Sequence, residues 1–281
     1  MVYRGATMRS IALEDIVGGT IDDDAILVAL APALGLHHAT RKRILSAYAE
    51  YRNTKGSSTT SQLGLSVPWP DKLSELYEGR AKKYGLEWIE TIATTTKYGY
   101  CSMCGAETHK TVDHFLPRSP WAEFSFFSLN LVPSCGTCNT KRGNRANAPG
   151  TTPRLLHPYF DEKVLVKRLH VTRIRGQYEA PEFEPVACHL LKRTETLRVI
   201  RHLSQSIDLV VYQQFCSNRW SELKQEIKRL KTKAAVKKRL ETLLEDSVST
   251  SGPNSWKTAF YAGASGSPAA ISWLFKNRHS F

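Results

Sequence analysis

The chain has 281 residues, of which 41% are hydrophobic and 23% charged, so it can bury a sizeable core. We find no opening segment that combines a basic stretch, an apolar core and a small-residue cleavage site, which argues against a secretory signal. The longest apolar stretch, residues 25–36, is too short to span a bilayer and contains Pro32. We therefore expect a cytoplasmic protein without a membrane-spanning segment.

The net charge of +13 is unevenly distributed along the chain. Residues 1–96 carry 11 Lys and Arg against 11 Asp and Glu, whereas residues 151–281 carry 22 against 12. A basic half joined to a neutral half indicates a polyanionic partner, and nucleic acid is the polyanion that fits best. A basic surface that is merely solvated explains the charge on its own equally well.

The N-terminal third of the chain shows helical patterns. Acidic residues 22–24 are suited to cap a helix that continues through residues 25–30. A second helix, with Thr40 as its cap, brings four side chains to one apolar face, namely Ile44, Leu45, Tyr48 and Tyr51. Residues 53–66 are rich in Ser, Thr and Gly and predict a flexible loop, after which the helical pattern resumes.

Four of the six cysteines form two C-x-x-C pairs, Cys101 with Cys104 and Cys135 with Cys138. In a reducing compartment two such pairs favour a tetrahedral zinc site over disulfides. Four thiolates leave no coordination position for water or substrate, so the predicted zinc is structural and not catalytic. The other two cysteines, residues 188 and 216, are predicted to pack in the core.

A carboxylate, an imidazole and two amide side chains lie between and just after these pairs: Asp113-His114, then Asn130, then Asn139 directly after the last cysteine. The 45 residues 101–145 resemble the HNH endonuclease family, whose ββα-metal finger often carries such cysteine pairs around a D-H … N … C-x-x-C-N-x-K pattern. The resemblance implies a first strand that ends near Asp113, a second strand over residues 131–134, and a helix that begins near Gly136.

The resemblance also implies a catalytic set of Asp113, His114, Asn130 and Asn139. The imidazole of His114 suits a general base that activates water, because it titrates near neutral pH. Asp113 and Asn139 offer hard oxygen ligands to a catalytic Mg²⁺ or Mn²⁺. Asn130 is expected to hydrogen-bond the loop backbone and so orient His114.

Asn139 stands where the family name has histidine, and this departure moves metal preference away from Zn²⁺ and Ni²⁺. Four basic residues are candidate phosphate contacts, namely Lys141, Arg142, Arg145 and Arg118. For Arg118 a solvent-facing position without a ligand is an equal alternative.

The C-terminal part begins with a predicted β-hairpin, with one strand within residues 164–174 and the other over residues 178–186. Residues 190–247 are helical in pattern, and residues 219–246 read as an amphipathic helix with a basic outer face. That face is suited to track phosphates, with a solvated or partner-docking face as the alternative.

The segment Leu-Leu-His-Pro-Tyr-Phe-Asp at residues 155–161 resembles a segment downstream of the finger in HNH proteins of bacterial anti-phage defence, of the retron-associated and Septu types. Those proteins work with an ATPase partner, so the resemblance implies such a partner here. A turn that simply packs on the finger is an equal alternative.

The sequence thus predicts an α+β protein in which a small zinc-stabilised ββα-metal finger lies between mainly helical flanks. The predicted regions are a helical N-terminal region over 1–96, the finger over 97–160, and a β-hairpin with a basic helical region over 161–281. The expected reaction is hydrolysis of nucleic-acid phosphodiester bonds. The alternatives are a non-catalytic zinc-stabilised module that binds nucleic acid, and a module that docks a partner protein.

Overall fold

The computed structural model describes residues 11–79, 84–95, 99–108, 111–143 and 154–281. Over these ranges the chain is α+β, as predicted: it is mainly helical and carries two small two-stranded antiparallel sheets. None of the helices in the same ranges is long and apolar enough to cross a membrane.

The N-terminal region is built from helices α1 (Leu13–Val17), α2 (Asp23–Leu34), α3 (His38–Thr54), α4 (Trp69–Gly79) and α5 (Trp88–Thr94). The predicted acidic cap is confirmed, since the Asp22 carboxylate accepts a hydrogen bond of 2.9 Å from the backbone N–H of Ala25. The predicted cap at Thr40 is wrong. Helix α3 begins at His38, because the backbone is extended only as far as His37 and is helical from there on.

A strand–strand–helix unit follows the first cysteine pair. Strand β1 (Thr111–His114) pairs antiparallel with β2 (Leu131–Ser134), and α6 (Gly136–Arg142) follows directly. In this register His114 lies opposite Leu131, so the long loop between the strands starts and ends at the same end of the two-stranded sheet. Both strands and the helix lie where the sequence predicted them.

The predicted β-hairpin is present, with shorter strands than expected. Helix α7 (Glu162–Leu165) leads into β3 (His170–Arg175), which pairs with β4 (Glu182–Ala187). The remaining helices are α8 (Arg193–Ser206), α9 (Leu209–Ile227), α10 (Lys233–Ser251), α11 (Trp256–Ser265) and α12 (Pro268–Asn277).

The prediction of a single amphipathic helix over residues 219–246 is wrong. Helix α9 ends at Ile227, and α10 begins at Lys233 behind Thr232, whose side chain accepts from the backbone N–H of Ala235. Both helices pack on α11 with their apolar faces in the same core, and residues 228–232, here called the α9–α10 turn, join them. The basic residues of this segment lie at and around the α9–α10 turn.

Two hydrophobic clusters make up the core, and the strand–strand–helix unit contributes to both. The N-terminal helices pack with loop residues such as Trp121 and Phe127. The four paired cysteines, together with Phe115, pack with the C-terminal helices. Cys188 and Cys216 are buried in that second cluster, which confirms the prediction that they pack in the core.

Candidate active site and metal centre

The four paired cysteines come together in space and can hold a metal ion such as zinc. Their Sγ atoms all lie within 4.8 Å of one another, and all four side chains are buried. The Sγ atoms of Cys104 and Cys135 are 3.8 Å apart. Four sulfurs about 2.3 Å from a tetrahedral Zn²⁺ would be separated by about 3.8 Å, so this spacing suits zinc.

Backbone N–H groups point at these sulfur atoms. The N–H groups of Cys104 and Cys135 lie 3.5 and 3.3 Å from Cys101 Sγ, and those of Ala106 and Cys138 lie 3.4 Å from Cys104 Sγ and Cys135 Sγ. Such donors favour the thiolate, which is the form of cysteine that binds metal. The donor set and its surroundings therefore fit a structural zinc site that joins β2 and α6 to the turn before β1.

Asn130 is completely buried and uses both ends of its amide. Its Oδ1 atom accepts from the backbone N–H of Leu116 at 2.7 Å, and its Nδ2 atom donates to the carbonyls of Leu116 at 3.0 Å and Phe124 at 3.3 Å. These bonds hold the loop backbone, as the sequence predicted. They therefore hold the backbone just after His114 and the backbone just before Ser125.

His114 is half-buried at the end of β1, where its ring meets Tyr77 of α4 edge-on at a centroid distance of 4.5 Å. Its Nε2 atom lies 2.8 Å from the carbonyl oxygen of Ser125. A carbonyl can only accept, so Nε2 carries the proton and Nδ1 keeps its lone pair. Burial lowers the pKa of His114 to about 4, a shift that the hydrogen bond to Ser125 opposes and the charge of Arg118 reinforces. At neutral pH the ring is uncharged and Nδ1 can accept a proton.

Asp113 is buried and forms an ion pair with Arg142 of α6. Burial raises the pKa of the Asp113 carboxyl, while the guanidinium of Arg142 opposes that shift. Only 1% of Arg142 is exposed, so the prediction that this residue contacts phosphate is wrong. Its charge stabilises Asp113 inside the protein instead.

Asn139 lies half-buried on α6, and its Nδ2 atom donates to the carbonyl of Val112 on β1 at 3.4 Å. Asp113 and Asn139 therefore both lie at the contact between β1 and α6. In this arrangement they do not fit a Mg²⁺ or Mn²⁺ site, because a divalent cation on Asp113 would lie beside the buried guanidinium of Arg142 and be repelled by it.

The other candidate phosphate contacts are already engaged within the protein. Lys141 donates through Nζ to the carbonyl of Ile207. Arg118 donates to Ser74 at 2.7 Å and to Glu78 at 2.6 Å, and its guanidinium lies over the ring of Tyr77. Arg145 lies outside the described residues. The structure thus brings the cysteines together and gathers Asn130 with His114, but it leaves Asp113 paired with Arg142.

Two residues that touch this site were given no role from sequence. The Tyr51 hydroxyl lies 3.0 Å from Asn130 Oδ1 and 3.1 Å from His157 Nε2. Tyr51 was assigned only to an apolar helix face, and His157 was a letter within the segment at residues 155–161. That segment was itself the available signal, because it packs against β2: its Tyr159 donates to the carbonyl of Leu131 at 2.7 Å.

Comparison with known proteins gives one partial match. Over 103 residues the chain is 38% identical to Protein ea31 of Escherichia phage lambda, a match that covers 34% of this chain and 33% of that protein. The chain thus spans about a third of the relative it matches. Neither a protein-family model nor a solved structure matches.

Proposed function

We propose that this protein is a nuclease of the HNH type that hydrolyses phosphodiester bonds of nucleic acid, with His114 as its general base. The proposal rests on which ring nitrogen of His114 carries the proton and which keeps its lone pair. The Nε2–H of His114 is held by the Ser125 carbonyl, so Nδ1 keeps the lone pair that can accept a proton; the lowered pKa of about 4 leaves the ring neutral at neutral pH and makes it a weaker base than free imidazole.

The reaction follows from that role. His114 Nδ1 takes a proton from water, and the water oxygen forms a bond to phosphorus while the bond from phosphorus to the 3′ oxygen breaks. The leaving oxygen takes a proton from solvent. By the family resemblance the products carry 5′-phosphate and 3′-hydroxyl ends.

The proposal includes one metal, a structural zinc, and leaves a catalytic cation as an expectation of the family resemblance. The cysteine cluster is proposed to hold a structural zinc, which is supported by the sulfur spacing and the N–H donors around it. A catalytic Mg²⁺ or Mn²⁺ on Asp113 and Asn139 remains a prediction of the resemblance. Arg142 would have to leave Asp113 first, so no step above is assigned to that cation.

DNA is the substrate we favour, and the charge of the α9–α10 turn supports it. Lys228, Arg229, Lys231 and Lys233 are all exposed at or next to this turn. Nearby acidic side chains are paired, with Glu226 on Arg239 at 2.6 Å and Glu241 on Lys237 at 3.6 Å. Exposed cations concentrated at a helical turn suit contact with a phosphate backbone.

A role in anti-phage defence beside an ATPase partner in the cytoplasm rests on the segment at residues 155–161 and its resemblance alone. A second function is favoured by a different observation. The Asp113–Arg142 ion pair suits a zinc-stabilised nucleic-acid-binding module without chemistry. Cleavage assays on plasmid, single-stranded DNA and RNA with Mg²⁺, Mn²⁺ or EDTA separate the two, since only the nuclease leaves cut products.

A further inference from the structure

We infer that Tyr51 and His157 are positioning residues that act on His114 through Asn130. The inference rests on the proposed function, because it assigns these two residues to the same site. It gives a role to one residue of the N-terminal helices and to one of the segment at residues 155–161.

The hydrogen bonds around His157 have a defined direction. The backbone N–H of Tyr159 donates to His157 Nδ1 at 3.1 Å, so that nitrogen carries no proton. Burial lowers the pKa of His157 well below its usual value, and the ring is neutral. The proton therefore lies on Nε2, which donates to the Tyr51 hydroxyl at 3.1 Å.

Tyr51 accepts this hydrogen bond and donates the next one. Because its oxygen accepts from His157, its single proton points toward two acceptors, Asn130 Oδ1 at 3.0 Å and the Leu129 carbonyl at 3.2 Å. Burial raises the pKa of Tyr51 well above its usual value, so the phenol stays protonated. A donor at this point identifies the Asn130 atom facing Tyr51 as oxygen and turns Nδ2 toward the loop.

Asn130 connects this chain of bonds to both sides of His114. On one side its side-chain amide bonds both the N–H and the carbonyl of Leu116, two residues after His114. The backbone carbonyl of Asn130 also accepts from the N–H of Phe115 at 2.8 Å. On the other side it holds the carbonyl of Phe124, the residue before Ser125. The backbone that carries the base and the carbonyl that fixes its tautomer are thus held by one side chain.

The surroundings keep the Tyr51–His157 pair in place. Gly56 approaches it so closely, with φ of 66°, that a Cβ there would lie 2.8 Å from the Tyr51 hydroxyl and 2.9 Å from the His157 ring. The Asp161 carboxylate accepts from the backbone N–H of His157 at 2.8 Å and is paired with Arg154 and Arg198. The His157 ring also packs on Phe115, with centroids 4.0 Å apart.

Tyr48 provides a matched control for Tyr51. It lies one turn earlier on α3, is equally buried, and stacks on Phe127 of the same aromatic cluster. Within the described part of the chain its hydroxyl has no hydrogen-bonding partner. Tyr48→Phe and Tyr51→Phe therefore remove the same atom from the same helix face, and only the second interrupts the chain of bonds.

The experiment measures two quantities on the full-length protein: steady-state cleavage of a labelled DNA duplex, and the hydrogen-exchange rate of the Leu116 amide by NMR. We expect Tyr51→Phe to lower kcat at least fivefold with KM changed less than twofold, and to speed Leu116 exchange about tenfold. Tyr48→Phe is expected to change each quantity less than twofold. Equal behaviour of the two variants in Leu116 exchange would overturn the inference.

A second pair of variants decides the matter if Tyr51→Phe does not fold. His157→Gln keeps a donor near the Nε2 position and is expected to protect Leu116 better than His157→Phe, and equal exchange in the two would overturn the inference. The proposed function fails separately. A wild-type protein that cleaves nothing, in which Leu116 still responds to Tyr51→Phe alone, would refute the nuclease and retain the hydrogen-bonded support of the loop.

Discussion

Asp113 and His114 are neighbours in the chain, yet their side chains serve opposite faces of β1. Asp113 meets Arg142 of α6, whereas His114 meets Tyr77 of α4 and the carbonyl of Ser125. This alternation is what an extended strand imposes on consecutive residues. It separates a buried ion pair on one face from a neutral imidazole on the other.

Replacing Arg142 tests whether Asp113 can take a cation. Arg142→Ala leaves a buried carboxylate without its partner, and we expect a loss of about 3–5 kcal/mol in the free energy of unfolding. Mn²⁺ should then raise the melting temperature of the variant more than that of the wild type. The double variant with Asp113→Asn is the control and should not respond. Equal responses of Arg142→Ala and the double variant to Mn²⁺ would argue against Asp113 as a metal ligand.

The cysteine cluster predicts a tightly held metal. Elemental analysis of the purified protein should find one zinc per chain, and Cys101→Ser should lose the zinc and destabilise the surrounding strands, because three buried thiolates are then left without the metal that holds them together. Cys216→Ser is the control, since Cys216 is equally buried but lies outside the cluster. Full zinc content in Cys101→Ser would contradict the site.

Spacing and family resemblance together predicted the elements that carry the candidate site. The C-x-x-C spacing predicted the metal cluster, and the resemblance to the HNH family implied both strands and the start of α6. The burial of Arg142 was missed, although Cys138 and Asn139, four and three positions earlier, already place it on the helix face that turns toward the cysteine cluster and β1. Its partner Asp113 lies 29 residues away in the chain.

Two further features were not predicted: contacts between residues far apart in the sequence, and the interruption between α9 and α10. Tyr51 and His157 are 106 residues apart, and no periodicity links them. The break between α9 and α10 contains neither Gly nor Pro, so the helical pattern runs through it without a stop signal. Thr232, a residue type that favours the N-cap position, was the start signal for α10 that the sequence analysis overlooked.

Asp23 predicts a specific pH dependence of stability. Its buried carboxylate accepts from the N–H and hydroxyl of Ser128 at 2.8 and 2.7 Å, and burial raises its pKa from 3.8 to about 6. A raised pKa means that the folded state binds the proton more tightly. The stability due to that proton is complete below about pH 4 and is lost as pH rises through 6.

The measurement compares urea unfolding of the wild type and Asp23→Asn from pH 4 to pH 7. Relative to the variant, the wild type should lose up to about 3 kcal/mol over this range, which corresponds to a shift of about two pKa units. Asp23→Asn keeps an acceptor for the backbone N–H of Ser128 and does not titrate. Parallel pH curves for the two proteins would show that Asp23 titrates normally.

The basic residues around the α9–α10 turn predict a salt-dependent contact with DNA. Reversing Lys228, Lys231 and Lys233 to Glu should weaken binding to all sequences alike and flatten the plot of log affinity against log salt by about 2.7, since each phosphate contact contributes about 0.9. Reversing three exposed lysines elsewhere, Lys42, Lys163 and Lys192, changes the net charge equally and is the control. If both triple variants change the slope by the same amount, the α9–α10 turn has no special role.

The central claim is that His114 is the base of a phosphodiester hydrolysis. The most direct measurement is the cleavage rate of plasmid DNA by the wild type, His114→Ala and His189→Ala, an exposed histidine elsewhere, in Mg²⁺ or Mn²⁺. We expect the wild type to remain active down to about pH 5, because its base has a pKa of about 4. We expect His114→Ala to be slower by about a hundredfold or more, with zinc content retained, and His189→Ala to be unaffected. Cleavage by His114→Ala at the wild-type rate, or no cleavage by the wild type on any nucleic acid, would contradict the account.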